Sequence, residues 1–175
     1  MKLYPEFPEL RGDMYEESVL FFEDMFRNNG SVIDLLDADH AFLNERLARH
    51  YGIDGVSGDE WRKVDGVKAS GRGGVLGLAT VLATNSGASR TSPILRGNWI
   101  YETLLGERLP RPPVNVPDLP ERVPEGLTAR ELIERHSSEP GCAKCHELID
   151  PYGFALERYD TIGRLRPNSI NTSTS

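Results

Sequence analysis

The sequence predicts a mainly α-helical fold with three parts: a helical body, a proline-rich connector and a short C-terminal segment. Apolar residues recur at helical spacing in several stretches, most clearly over residues 8–27. Six of the 12 prolines fall between positions 110 and 124, which indicates a semi-rigid connector that is poor in helix. We therefore predict a helical domain over 1–109, a linker over 110–125 and a third segment over 126–175.

Three helices are predicted in the first half of the body. The first spans residues 8–27, because Pro8 suits a first-turn position and apolar side chains follow at helical spacing. The second is short and follows Ser31, whose spacing to Asp34 resembles an N-cap. The third ends at Gly52, a residue suited to the left-handed position after a helix. Its apolar stripe consists of His40, Leu43, Leu47 and Tyr51.

The second half of the body predicts a loop followed by two helices. Residues 52–72 are rich in Gly, Asp and Ser and predict a long loop that Trp61 anchors. Residues 73–83 form an apolar run of small side chains, which predicts a helix buried on most sides. Ser92 is the predicted N-cap of a further helix, which ends at Gly106.

The third segment begins with a predicted helix and continues through two turns. Thr128 and Glu131 have the spacing of a capping box, and His136 falls on the apolar face of the helix that they open. Turns are predicted over residues 137–141 and 150–153, with a last helix after the second turn.

A haem-attachment motif, C-A-K-C-H, occupies residues 142–146 and includes both cysteines of the chain. The first and fourth positions of a helical turn share a face, so Cys142 and Cys145 can form thioethers with the two vinyl groups of one porphyrin. His146 follows at once and presents its imidazole as the proximal iron ligand. The motif predicts covalent haem c bound by Cys142, Cys145 and His146.

Three other interpretations compete with haem attachment. A zinc site needs further ligands, and outside the motif the histidines are the scattered His40, His50 and His136. A thioredoxin-like redox pair needs a βαβ context, whereas the residues before the motif predict a helix and a turn. A local disulfide leaves His146 without a role.

Composition predicts a soluble protein that neither spans a membrane nor binds nucleic acid. The chain has 175 residues, 38% of them hydrophobic, and no apolar run approaches the ~20 residues that cross a bilayer. A net charge of −7 argues against a surface for phosphate groups. The first residues lack a signal peptide, yet haem c is attached outside the cytoplasmic membrane. We therefore expect an internal piece of a longer exported precursor, located in the periplasm or cell envelope.

Several stretches resemble the planctomycete-type multidomain haem c proteins, in which domains of unknown function adjoin a cytochrome c-like C-x-x-C-H domain. The stretches are L-L-D-A-D (35–39), N-E-R-L-A-R-H-Y-G-I (44–53), G-G-V-L-G (73–77), R-T-S-P (90–93), R-G-N-W (96–99), C-A-K-C-H (142–146) and D-P-Y-G-F-A-L-E (150–157). The resemblance covers residues 10–166. It implies the end of one uncharacterised domain joined to a haem c domain in an exported protein.

Two positions depart from the family pattern. Ile149 stands where the family commonly has Met, so the methionine ligand that the resemblance implies is missing. After Arg166 the family chain continues, whereas here a polar tail follows. We therefore expect the haem segment to be truncated, with any later ligand outside this sequence.

The second axial ligand of the iron separates the functions that the sequence allows. Electron transfer needs both axial positions filled, whereas a peroxidase-like site keeps one open. No methionine follows His146, so His136 is the candidate distal ligand, with a core or haem-edge histidine as the competing interpretation. Ligands from the body are the other candidates: His40, His50, Met14 and Met25.

Two contacts of the haem segment are also expected. Arg90 and Arg96 flank the start of a helix and either pair with haem propionates or brace a loop. The Pro151 carbonyl is expected to accept the Nδ1–H of His146 and so to fix its tautomer.

The sequence therefore predicts a haem c-binding segment that passes single electrons to or from an unknown redox partner protein. Two alternatives stay open: a peroxidase-like haem enzyme with an open distal site, and a helical module with a structural or interaction role. No catalytic constellation occurs in residues 1–109, and whether the protein is an enzyme is left open.

Overall fold

A computed structural model describes residues 3–111, 120, 124–138 and 140–167. The chain is mainly helical, as predicted, and none of its described helices is long and apolar enough to cross a membrane. It divides into a larger unit, residues 1–91 and 158–175, and a smaller unit, residues 92–157. Most of the predicted linker and the end of the predicted polar tail lie outside the described residues. The domain bounds proposed from the sequence stay a prediction.

The larger unit packs helices around a short antiparallel ribbon. Its described α-helices and strands are α1 (Phe7–Arg27), α2 (Asp34–Asp37), β1 (His40–Leu43), α3 (Glu45–Tyr51), β2 (Arg62–Asp65) and α4 (Ala79–Thr84). Two short 3₁₀ helices, Val67–Ser70 and Val75–Gly77, lie between β2 and α4. β1 pairs with β2 so that His40 lies opposite Asp65 and Leu43 opposite Arg62. The core contains Leu10, Met14, Ala41, Leu43, Leu47, Ala48, Tyr51, Val67, Ala79 and Ile162, with the predicted anchor Trp61 packed against it.

The predicted helix through His40 is wrong over residues 40–43, which form β1. The Asn44 side chain accepts the Leu47 N–H at 2.9 Å, and the extended backbone of Asn44 starts α3 there. Residues 40–43 alternate between half-buried and buried side chains, as in a strand with one face on the core. The end of α3 is as predicted, since Gly52 has a φ of 71°.

The predicted helix over residues 73–83 is also wrong in its first half. Gly73 and Gly74 have φ values of 109° and 63°, outside the helical region, and only Ala79–Thr84 form α4. A Cβ at Gly73 would collide with the carbonyl of Ala38, and one at Gly74 with the carbonyl of Leu36. These glycines therefore allow backbone to pack on backbone at a turn.

A buried polar cluster stands beside the core of the larger unit. Tyr51 Oη donates to Glu17 Oε2 at 2.5 Å and accepts the Ala79 N–H at 3.2 Å. The Arg72 guanidinium stacks 3.7 Å from the centre of the Tyr51 ring. Burial raises the pKa of Glu17 to about 8, although the Tyr51 hydrogen bond and the Arg72 charge act in the opposite direction. Glu17 is therefore a largely neutral acid in the interior at neutral pH.

The smaller unit is built on the crossing of two helices. Its described elements are α5 (Pro93–Asn98), a π-helical stretch (Trp99–Leu104), α6 (Ala129–Ser137) and α7 (Pro140–Ala155). α5 and α7 meet at two glycines: a Cβ at Gly97 would collide with the Ile149 carbonyl, and one at Gly153 with the Pro93 carbonyl. The two backbones therefore touch, which requires glycine at both positions.

Arg96 braces this crossing. Its side chain is 1% exposed, and Nη1 donates to the carbonyl of Leu156 at 2.8 Å, just beyond the end of α7. The Glu157 carboxylate lies 3.4 Å away. Of the two roles expected for Arg96, bracing is the one that this geometry supports.

α7 is longer than predicted. It begins at Pro140, so residues 140 and 141 belong to the helix, although Ser138 keeps part of the predicted turn. The helix continues through Pro151 to Ala155 instead of breaking at residues 150–153. Pro151 lacks an N–H, so the Glu147 carbonyl loses its helical donor. Packing of Ile149 and Gly153 on α5 holds this turn in spite of that loss.

Candidate functional site

α7 carries the complete C-x-x-C-H motif. Cys142 and Cys145 are free thiols and are half-buried, whereas His146 is 7% exposed. The three residues lie within little more than one turn of the helix, as the motif predicts. Cys145 Sγ lies 3.8 Å from the Pro110 carbonyl.

α6 brings His136 to the motif. The predicted capping box is present, with Thr128 Oγ1 accepting the Glu131 N–H and the Glu131 carboxylate accepting the Thr128 N–H. Ile133 on the apolar face of α6 is 1% exposed, and its burial holds the helix in place. The rings of His136 and His146 meet edge to face, with centroids 5.2 Å apart. The two histidines thus form one site, and the role of His136 as distal ligand stays a prediction.

Asp150 is the residue of this site that the sequence analysis missed. Its Oδ1 lies 2.8 Å from Nδ1 of His146, one helical turn away. The expectation that the Pro151 carbonyl binds this nitrogen is wrong, because α7 does not turn at Pro151. The i, i+4 spacing of His146 and Asp150 would indicate this contact on a continuous helix, but the turn predicted over residues 150–153 placed Asp150 outside one.

A cleft opens beside His146. Its volume is about 470 Å³, within the range of small-molecule sites. It is lined by Arg130, Ser137, Ala143, His146, Glu147, Asp150, Pro151 and Phe154. Neither cysteine is among these residues, so the cleft borders the histidine side of the motif.

Arg130 supplies the positive charge of the cleft. Its guanidinium carbon lies 4.7 Å from the centre of the Phe154 ring, and Nε donates to Glu134 at 2.8 Å. The side chain is 67% exposed, so it can turn towards an anionic group in the cleft. Phe154 gives the same wall an apolar surface.

The residues present fit a covalently bound haem. Nδ1 of His146 is held by Asp150, and no described residue hydrogen-bonds to Nε2, which leaves that nitrogen for a metal. The described residues contain no group of three or more His, Cys, Asp or Glu side chains placed to hold a metal ion. A haem needs no such group, because the porphyrin supplies four nitrogen ligands to the iron. The protein then has to supply one imidazole for the iron and two thiols for the porphyrin.

The candidate ligands from the body all lie in the larger unit. His50 Nε2 is 2.9 Å from the Ile162 carbonyl, and burial lowers the pKa of this histidine. His40 Nε2 lies 3.5 Å from Asp24. Met14 is 2% exposed within the core, and Met25 is half-buried on α1. Most of these side chains therefore have contacts within the larger unit that account for their positions.

Two family models match the chain. The model PSCyt3, a protein of unknown function (DUF1588), matches residues 72–169, more than half of the chain. The model PSD4, a protein of unknown function (DUF1592), matches residues 1–53. Both are domains of the planctomycete-type cytochrome c family, which supports the family that the sequence resembles, while the cytochrome c-like C-x-x-C-H domain stays a prediction. No curated protein and no solved structure matches the chain.

Proposed function

This chain belongs to the DUF1588 family, and we propose that it binds haem c covalently and transfers single electrons. The observation that carries the proposal is the C-x-x-C-H motif on α7, with the imidazole of His146 buried and its Nδ1 held by a carboxylate. When bound, the haem supplies a one-electron couple. The partner is a redox protein that donates or accepts that electron.

Each residue of the motif has a defined task in this proposal. Cys142 and Cys145 would hold the porphyrin through two thioethers, each formed by addition of a thiol S–H across one vinyl group. No oxidant is needed for this step. His146 offers Nε2 to the iron. Arg130 would pair with a carboxylate of the porphyrin, and Phe154 would offer it an apolar surface, since both residues line the cleft.

The cellular location follows from the same chemistry. Haem c is attached outside the cytoplasmic membrane, so the proposal includes export to the periplasm or cell envelope. Membership in a cytochrome-associated family supports this location.

The test is expression of the chain with a cytochrome c maturation system. We expect the pyridine haemochrome of the purified protein to show haem that organic solvent does not extract. The matched control is the double variant Cys142→Ser and Cys145→Ser, which keeps side-chain size and should lose the covalent haem while far-UV circular dichroism stays unchanged. Wild-type protein that matures without covalent haem would overturn the proposal and favour the structural module.

Peroxidase-like chemistry is the second candidate, and one observation favours it. The carboxylate on His146 makes the imidazole a stronger electron donor to iron, which assists cleavage of an O–O bond. Carbon monoxide distinguishes the two. A ferrous spectrum that carbon monoxide leaves unchanged means that both axial positions are filled and supports electron transfer. A carbon monoxide complex, together with hydrogen peroxide consumption in the presence of a phenolic reductant, supports the peroxidase.

A further inference from the structure

A hydrogen bond within the smaller unit joins His146 to Asp150 on one face of α7. Nδ1 and Oδ1 are 2.8 Å apart, and the side chains are 8% and 14% exposed. The short distance and the low exposure mean that water does not compete strongly for either group. This hydrogen bond is therefore a stable feature of the folded unit.

In the part of the chain that the structure describes, no other charge draws Asp150 away from the imidazole. Among the described residues, Asp150 forms no ion pair except that with His146. Arg130, which lines the same cleft, is paired with Glu134. Glu147 and Asp150 both line the cleft, but Glu147 is exposed and adjoins His146 in sequence, so it does not share the i, i+4 face.

A carboxylate acceptor changes the imidazole in two ways. It fixes the neutral ring as the Nδ1–H tautomer, because the acceptor demands a proton on that nitrogen, and this leaves the lone pair on Nε2. It also places a negative charge behind the ring, which would stabilise positive charge on a metal bound at Nε2. A backbone carbonyl would fix the tautomer but bring no net charge.

We propose that Asp150 is a positioning residue that holds His146 as its Nδ1–H tautomer and stabilises the oxidised over the reduced state of a metal on Nε2. The first half concerns the chain alone. The second half rests on the proposed haem function. Outer-sphere partners of this kind alter metal affinity by about 10- to 100-fold.

The first half is tested without haem. Long-range ¹H–¹⁵N spectra of the apo protein, recorded where the imidazole is neutral, should show His146 with the proton on Nδ1. Asp150→Ala should move the proton to Nε2 in most molecules, whereas Glu147→Gln should leave it on Nδ1. A wild-type His146 protonated on Nε2, or a ring unaffected by Asp150→Ala, would overturn the assignment.

The second half is tested on protein that carries haem. Asp150→Asn keeps the shape and an acceptor oxygen but removes the charge, so we expect the preference for the oxidised state to fall about tenfold, a rise in reduction potential of about 59 mV for one electron. Glu147→Gln removes a charge from the same cleft and should shift the potential by much less. Equal shifts in the two variants would mean a general charge effect and would refute the specific role.

The outcomes of these experiments distinguish a failure of the proposed function from a failure of the role proposed for Asp150. If no haem attaches, the proposed function is lost while the tautomer measurement still decides the role of Asp150 in the apo protein. If haem attaches and Asp150→Asn leaves the potential unchanged, the function stands and the inference fails.

Discussion

Each unit of the molecule buries a carboxyl group beside an aromatic or imidazole partner, and the two differ in what lies around the pair. Glu17 in the larger unit is 2% exposed and bonded to Tyr51, in the packed interior beside Ala79. Asp150 in the smaller unit holds His146 at the wall of a cleft. Because Glu17 is enclosed, it is largely neutral and serves the packing of the interior. An opening beside the second pair leaves a ring nitrogen available for chemistry.

The units also differ in how they are packed. The larger unit has an apolar core of side chains from several helices and the ribbon. The smaller unit relies on direct backbone contact at Gly97 and Gly153, together with the buried Arg96. Gly73 and Gly74 make similar backbone contacts in the larger unit, so we expect added volume to be tolerated poorly at all four glycines and well at an open glycine such as Gly12.

The largest expected effect comes from adding a methyl group at the crossing. Gly97→Ala or Gly153→Ala would force α5 and α7 apart, and we expect a loss of about 3 kcal/mol or more in unfolding free energy. Urea unfolding followed by circular dichroism measures it. Gly12→Ala on α1 is the matched control, because no atom lies within 4 Å of the added Cβ. That variant should gain about 0.5–1 kcal/mol from helix propensity.

If Gly97→Ala were as stable as Gly12→Ala, the proposed close contact between the backbones of α5 and α7 would be wrong. The contact at Gly97 would then have to relax by a small shift of α7. His146 would report such a shift, since it lies on the same helix.

A smaller effect is expected from Glu17, and it depends on pH. The folded state keeps the proton up to about pH 8, whereas the unfolded chain releases it near the ordinary value of 4.5. Stability from this group is therefore fully present below pH 4.5 and is lost as pH rises to 8, at about 1.4 kcal/mol per pH unit at most. Glu17→Gln is neutral throughout and should abolish this slope, so the variant should be on the order of 4 kcal/mol more stable relative to wild type at pH 8 than at pH 4.5.

The measurement is the difference between wild type and variant at each pH. His50 contributes a slope of the opposite sign to both proteins, because burial lowers its pKa and its stabilisation is lost as pH falls, and the difference cancels it. Glu16→Gln, on the neighbouring position of α1, is the control. A wild-type slope equal to that of Glu17→Gln would show that Glu17 ionises freely in the folded state.

The smallest effects are expected at two helix caps, one in each unit. Asn44 caps α3 and is 4% exposed, whereas Thr128 caps α6 and is exposed. Replacement by Ala should cost about 1–2 kcal/mol at Asn44, where a buried N–H loses its acceptor, and about 1 kcal/mol at Thr128, where water replaces the cap. Urea unfolding of both variants gives the comparison. Equal losses would mean that burial does not distinguish the caps.

Local signals in the sequence predicted much of the fold. Apolar periodicity predicted α1, the N-caps at Ser92 and Thr128 predicted the starts of α5 and α6, and Gly52 predicted the end of α3. These features depend on residues close together in the chain. The C-x-x-C-H motif is also a local signal, because the spacing of its residues alone predicts haem attachment.

The errors all concern contacts between distant residues. His40 has a helical stripe in sequence, yet pairing with Asp65 makes it a strand. Pro151 predicts a break, yet packing against α5 keeps α7 continuous, and the Asp150 contact depends on that continuity. Tertiary packing overrides local preference at each of these positions.

The crossing of α5 and α7 has a consequence for folding kinetics. Gly97 and Ile149 are about fifty residues apart in sequence, so a long loop must close before their backbones can touch, and its entropy is lost in advance of the contact. Six prolines between positions 110 and 124 restrict the unfolded chain within that loop and reduce the entropy that closure removes. Replacing several of them with alanine should therefore slow refolding of the smaller unit.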